Sequence, residues 1–267
     1  MTALPKFGLL TNPIVDVIKE IENIARLGFD FVEIGIEWPE GSPDILLKKR
    51  KGIISLLEKY KIFAIAHTAW WIDIATPYDL VRNAWIEETK KKIRVAHSLG
   101  IKLVNFHTHA REMTPLYKKY EKQILKNFCQ GLKELVEFGK KYNVEIMLEN
   151  AGEKGEITDT QLIKQITNTI PDVKIHFDIG HAFIFGGMKN IRSFLTTFGN
   201  SIVHIHMHDN HGKTDEHLPI GKGKIDYAKV VKLLKKMKYN KTITFEIFTN
   251  KKDAKKSMNK IKKLWMS

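Results

Sequence analysis

A chain of 267 residues with 43% apolar content can bury one sizeable core, which excludes disordered tails and disulfide-stapled miniature scaffolds. Its single Cys129 cannot form an intramolecular disulfide, so the expected fold is held by its core in a reducing, cytoplasmic setting. The formal net charge is +14, but the 44 basic residues comprise 38 Lys and only six Arg, so the charge alone does not single out a nucleic acid or a membrane as partner.

The N-terminus, Met1-Thr-Ala-Leu-Pro-Lys, lacks a basic stretch followed by a long apolar run, and no later window approaches about 18 uninterrupted apolar residues. Neither a signal peptide nor a membrane span is expected. Short β-branched and aromatic runs then recur at 6–11, 29–36, 62–68, 103–109, 144–150, 173–179, 202–209 and 242–248, alternating with longer Lys-rich amphipathic stretches such as 79–98 and 117–142. Leu27-Gly28, Leu99-Gly100, Tyr142-Asn143 and Tyr239-Asn240 stand as helix stops before strands. The stretch 251–265 holds seven lysines with Ala254, Met258, Ile261 and Trp265 at helical spacing, which predicts a last helix with a solvated outer face. Eight βα units in this length predict a single-domain (β/α)8 TIM barrel over 1–267, whereas a doubly wound sheet would want a GxGxxG after its first strand and finds none.

A period of two along each strand separates lumen-facing from helix-facing side chains. One face collects Ile65 and His67; Asn105, His107 and His109; Met147 and Glu149; His176 and Asp178; His204, His206 and His208; Thr244 and Glu246. The opposite face is apolar, as in Val104 and Phe106 or Ile175 and Phe177. The ionisable residues therefore gather toward the C-terminal ends of the strands, where this fold places its active sites. Carboxylates and imidazoles buried together need compensation, and a divalent ion is the usual one. The mixed oxygen and nitrogen donors suit Zn, Mn, Fe or Co, while calcium would want oxygen alone and a structural zinc would want thiolates.

Several segments carry a family resemblance. Ala66-His67-Thr-Ala-Trp-Trp-Ile-Asp-Ile-Ala, Val104-Asn-Phe-His107, Met147-Leu-Glu149-Asn150, Phe177-Asp178-Ile-Gly-His181-Ala-Phe, Ile205-His206-Met-His-Asp209, Asp215-Glu-His217-Leu-Pro-Ile-Gly221-Lys-Gly223 and Phe245-Glu246 resemble successive motifs of endonuclease IV. The chain is thus similar to the xylose-isomerase-like TIM barrels, a superfamily that includes endonuclease IV and the sugar isomerases and epimerases. The resemblance implies a metal-dependent enzyme with two or three ions, zinc first, held by His67, His107, Glu149, Asp178, His181, His206, Asp215, His217 and Glu246. In the hydrolytic reading it implies, Glu149 bridges two ions, and Asp178 and Glu246 help hold the nucleophile at a phosphoester, as at an abasic site in DNA. The alternative it implies is one ion on Glu149, Asp178, His206 and Glu246, with Glu149 and Glu246 as acid and base of a sugar or sugar-phosphate isomerase or epimerase.

Further substrate contacts are expected from Trp70 and Trp71, which match bulky residues that wedge into a base stack and equally suit the wall of a sugar pocket. His109 and His211 are also expected at the substrate, and with His208 they are candidates for orienting ligands or for a pH-sensitive rim. Lys222, in Gly221-Lys222-Gly223, either reaches a phosphate or marks a turn into the helix starting near Asp226. Glu216 stands where endonuclease IV carries an Arg, and Glu37-Trp-Pro-Glu40 where it carries a DNA-penetrating Arg. No obligate protein partner is expected.

Overall fold

The computed structural model describes residues 3–110, 115–152 and 157–267. Eight parallel strands close into a barrel in chain order: β1 (Lys6–Leu10), β2 (Phe31–Ile36), β3 (Phe63–Thr68), β4 (Leu103–His107), β5 (Glu145–Glu149), β6 (Lys174–Asp178), β7 (Ile202–Met207) and β8 (Thr242–Phe245). Closure is made by β1 on β8, with Lys6 opposite Thr242 and Leu9 opposite Phe245. Around the sheet run α1 (Val17–Arg26), α2 (Pro43–Tyr60), α3 (Asp79–Ser98), α4 (Glu121–Lys141), α5 (Thr160–Thr169), α6 (Ile179–Ile184), α7 (Gly187–Phe198), α8 (Tyr227–Lys236) and α9 (Lys251–Met266).

Local sequence explains the helix boundaries. Asp16, Asp159, Asp226 and Asn250 accept hydrogen bonds from backbone N–H groups in the first turns of α1, α5, α8 and α9, satisfying donors the helix cannot. Three predicted stops take the left-handed conformation, at Gly28, Gly100 and Asn143; near 240 the left-handed residue is Lys238 instead. The segment after β6 differs from the expected single helix, because Gly186-Gly187 divides it into α6 and α7. Strands β4, β7 and β8 end two or three residues earlier than predicted, at His107, Met207 and Phe245, although Thr108 and Glu246 still donate their backbone N–H groups to Glu149 and Met207 of the neighbouring strands.

The outward faces of the strands pack on the helices. Phe177 of β6 stacks on Phe194 of α7 with ring centroids 4.2 Å apart, and both are fully buried. Burying side chains of this size stabilises by about 1.5–3 kcal/mol each. Inside the lumen, Phe31, Ile65 and Met147 form a separate apolar plug low in the barrel. Register sets polar neighbours level with it: Ile65 lies opposite Glu33, and Met147 opposite Asn105. Glu33, Asn105, His176, His204 and Thr244 are all buried, an unusually polar filling where this fold ordinarily packs Val, Ile and Leu.

Candidate metal centre

The topmost lumen-facing side chains converge on one mouth. His107, Glu149 and Asp178 are the last residues of β4, β5 and β6, His67 and His206 are next to last in β3 and β7, and Glu246 immediately follows β8. Asp178 also caps α6 by accepting from the His181 backbone N–H at 2.7 Å, which brings His181 alongside it. Asn150 holds this corner, accepting from the Asp178 N–H at 2.8 Å and donating to its carbonyl at 2.9 Å. His181 donates its Nδ1–H to the Asn150 carbonyl at 2.8 Å, leaving Nε2 toward Asp215.

Asp215 and His217 come instead from the loop between β7 and α8. That loop is tied down by buried Asp209, whose carboxylate accepts from the backbone N–H groups of Asn210, Gly221 and Ile225. Asp209 also pairs with Leu218 through its backbone in both directions. His217 takes a left-handed φ of 46°, a strained conformation for this residue type that aims its ring inward. Its Nε2 lies 2.8 Å from Asp215 Oδ2 and its Nδ1 3.1 Å from the Glu246 carbonyl.

Glu149 sits at the centre with its two carboxylate oxygens facing different histidines, His176 Nδ1 lying 3.4 Å from Oε2. Oε2 lies 3.0 Å from His107 Nε2 and 3.8 Å from His67 Nε2, while Oε1 lies 3.5 Å from His206 Nδ1 and 3.7 Å from His181 Nδ1. His206 Nδ1 is in turn 3.1 Å from Glu246 and 3.7 Å from Asp178. Asn105 donates to the same Glu149 oxygen that His107 meets. His208 Nε2 approaches Asp178 at 3.2 Å and Asp215 at 3.5 Å.

Charge is balanced by proton sharing in this cluster. Burial would raise the Glu149 carboxyl, but His107, His176 and His206 outweigh it and hold it well below its ordinary value. Glu246 is likewise brought down against its burial, to about 2, mainly by His217 and His206. Burial opposes protonation of His206 and His181, yet the surrounding carboxylates raise both well above the ordinary imidazole value. His217 rises to about 9, burial being outweighed by Glu246 and Asp215, whereas burial and the neighbouring His107 take His67 down to about 4.

The donors fit a divalent ion. His67, His107 and Glu149 bring three ligand atoms within 4.8 Å of one another, as do His67, His206 and Glu246, and Asp178, His181 and His208. Buried donor atoms without a hydrogen-bond partner cluster here too: both ring nitrogens of His67 and His208, His107 Nδ1, Glu149 Oε1, Asp178 Oδ2 and Asp215 Oδ1. Leaving so many buried polar atoms unpaired is costly, and coordination would satisfy them.

Above the donors opens a cavity of about 600 Å³. His67, His107, His181, Asp215, His217 and Glu246 face it, while Glu149, Asp178 and His206 lie behind them, at most 1% exposed. Trp70, Trp71 and Phe248 line the walls with flat apolar faces, together with Glu20, Glu37 and Lys251. The Lys251 ammonium is held by Glu20 at 2.6 Å, and Glu37 is raised by burial. Trp70 meets Trp71 and His109 edge-on at 5.8 and 5.6 Å between ring centroids. His211 is exposed and hydrogen-bonded to Glu216, outside the cavity lining. Lys222 is exposed and stands in the turn reading of its segment, with its backbone N–H donated to Pro219.

Residues not singled out from the sequence complete the site. Glu33 of β2 faces the lumen by the same alternation as Phe31 and Gly35, but one acid in an apolar strand gave no motif to mark it. Asp209 was visible only as part of the His206 motif, and its role depends on loop amides distant in sequence.

The match to the family model described as xylose isomerase-like TIM barrel covers residues 21–264, and the chain belongs to that family. An uncharacterized protein of Methanocaldococcus jannaschii is 31% identical over 249 residues, covering 91% of this chain and 82% of its own. A probable endonuclease 4 of Aquifex aeolicus is 23% identical, covering 95% and 94%. Among solved structures, a D-tagatose 3-epimerase-like protein superposes with a TM-score of 0.85 at 28% identity, covering 98% of this chain and 97% of that one. The family's members include enzymes acting on DNA and on sugars, and no described helix here is long and apolar enough to cross a membrane.

Proposed function

We propose that this chain is a divalent-metal-dependent phosphoester hydrolase with two or three ions at the barrel mouth, zinc first among the candidates. The observation that carries this reading is Glu149, whose two oxygens face separate histidine sets, the disposition of a carboxylate that bridges two ions. His67 and His107 would hold one ion with Glu149; Asp178, His206 and Glu246 a second with the same carboxylate; and His181, Asp215 and His217 a third. Bound ions would supply Lewis acidity that makes water acidic near neutral pH and offsets charge on phosphoryl oxygens. Glu246, at the cavity floor, and Asp178 behind it would help hold the attacking water. Trp70 and Trp71 would stack against a flattened or flipped-out substrate. An abasic site in DNA is the substrate suggested by the likeness to endonuclease 4.

A second reading is favoured by the cavity itself. Its modest volume, its aromatic walls and the acids Glu20 and Glu37 suit a sugar, in line with the D-tagatose 3-epimerase-like neighbour. One ion and proton transfer by Glu149 and Glu246 would then suffice. Ion content separates the two: the hydrolase reading expects two or three ions per chain and severe loss of activity in Asp215→Ala. One ion per chain, Asp215→Ala unaffected and an abasic-site duplex left intact with Zn, Mn and Co each supplied would instead assign sugar chemistry.

A further inference from the structure

Beneath the donor set, Glu33 faces two histidines at once. Its Oε2 lies 3.0 Å from His206 Nε2 and 3.1 Å from His204 Nε2, and all three side chains are fully buried. His204 Nδ1 in turn lies 2.7 Å from Thr242 Oγ1. His206 Nδ1 points the other way, toward Glu246, Glu149 and Asp178. From these contacts we infer that Glu33 is a positioning residue: by accepting the Nε2–H of His206 it fixes the imidazole tautomer and ring plane in which Nδ1 is the metal ligand. The inference rests on the metal-centre reading above.

The hydrogen bonds assign the proton on the Glu33 side. A carboxylate has no proton to give, so each facing Nε2 must carry the hydrogen. In His206, Nε2–H is donated downward, while Nδ1 in the metal-free chain also carries a hydrogen, donated to the Glu246 carboxylate at 3.1 Å; an ion on the carboxylate-rich side would displace that proton and take the Nδ1 lone pair. His204 with the same tautomer offers Nδ1 as acceptor to the Thr242 hydroxyl, which anchors the far end of the chain of contacts. Ligating histidines generally donate their second ring N–H to a carboxylate or carbonyl, and removing such a partner weakens metal binding about 10- to 100-fold. A packing role alone would not select one nitrogen of His206, because an isosteric amide fills the same space.

The test uses the full chain and Zn²⁺ as the only probe. Glu33→Gln should bind Zn²⁺ at the His206 position about 10- to 100-fold more weakly in chelator competition, while the affinity of the ion on His67 and His107 stays within about threefold. Thermal unfolding of the metal-free variant reports any change in the fold itself. If that variant does not fold, histidine ring ¹⁵N shifts of the wild-type Zn²⁺ form decide: the expected pattern is protonated Nε2 and metal-bound Nδ1 at His206. Unchanged Zn²⁺ affinity in a folded Glu33→Gln, or a metal-bound Nε2 in the wild type, overturns the inference and leaves the metal centre standing. A wild-type chain that takes up no Zn²⁺ overturns both.

Discussion

The strand-borne and loop-borne donors of the mouth are held by different means. Glu149, Asp178 and His206 are part of the barrel wall, fixed by ladder hydrogen bonds and by buried partners beneath them. Asp215 and His217 reach the same centre from a loop whose shape depends on one buried carboxylate, Asp209, and on a left-handed His217. Rigid elements place side chains more accurately than loops do, so the two halves should differ in affinity and in sensitivity to mutation.

The largest effect should come from the wall. Glu149→Gln removes the carboxylate that faces five histidines, and its turnover should fall by about 10²- to 10³-fold or more, together with loss of ions at both the His67 and His206 positions, measured by metal content per chain. Retention of two ions in that variant would break the distinction between wall and loop.

Asp209→Ala should act on the loop alone. It leaves three backbone N–H groups without their acceptor and should destabilise the chain by about 2–4 kcal/mol in urea unfolding. The ion held by Asp215 and His217 should be lost while the wall-held ions remain.

The pH response should divide by residue rather than between wall and loop, because His206 and His181 are both held well above the ordinary imidazole value and each must release a proton to take up an ion. In the metal-free chain His217 is raised to about 9, burial being overcome by Glu246 and Asp215, and it must lose its proton to ligate. Zn²⁺ uptake on the loop side, where His181 and His217 both start protonated, should therefore tighten by at least about tenfold per pH unit from neutrality up to about 9. His67, lowered to about 4 by burial and His107, is neutral throughout that range and adds no such slope. The same shift has a stability counterpart: the pairing of His217 stabilises the metal-free fold fully below its unfolded value near 6.5 and is lost as pH rises through about 9. Calorimetry in buffers of different ionisation heat and unfolding against pH check the two halves of the claim. The smallest effect belongs to Lys222→Ala, which should stay within about 0.5 kcal/mol in stability because its side chain is exposed and outside the cavity lining.

The barrel was legible because strand alternation and helix periodicity both report burial directly. Val104 and Phe106 point outward and Asn105 and His107 inward, as a period of two requires. The convergence of the nine candidate donors was legible for a different reason: six sit at strand ends, His181 just beyond one, and Asp215 and His217 in a short loop motif. Glu33 escaped because its significance lies in partners on β7, more than 170 positions away, and nothing local distinguishes it from an acid paired with a surface lysine. Glu20 and Lys251 escaped similarly, since their contact joins the first and last βα units. The Gly186-Gly187 break was visible as residues, but not as a boundary between two packed helices.

The backbone at Gly180 has no room beside it. A methyl group there would stand 2.0 Å from the His208 ring, which is itself within 3.2 Å of Asp178. The missing side chain is therefore a piece of the centre's architecture, a notch cut to the outline of an imidazole. Drift at this position would leave every donor residue in the sequence intact while pushing a ring out of its seat. A relative could thus carry all nine donors and still have lost the chemistry, through a change at a residue that offers no atom to a metal.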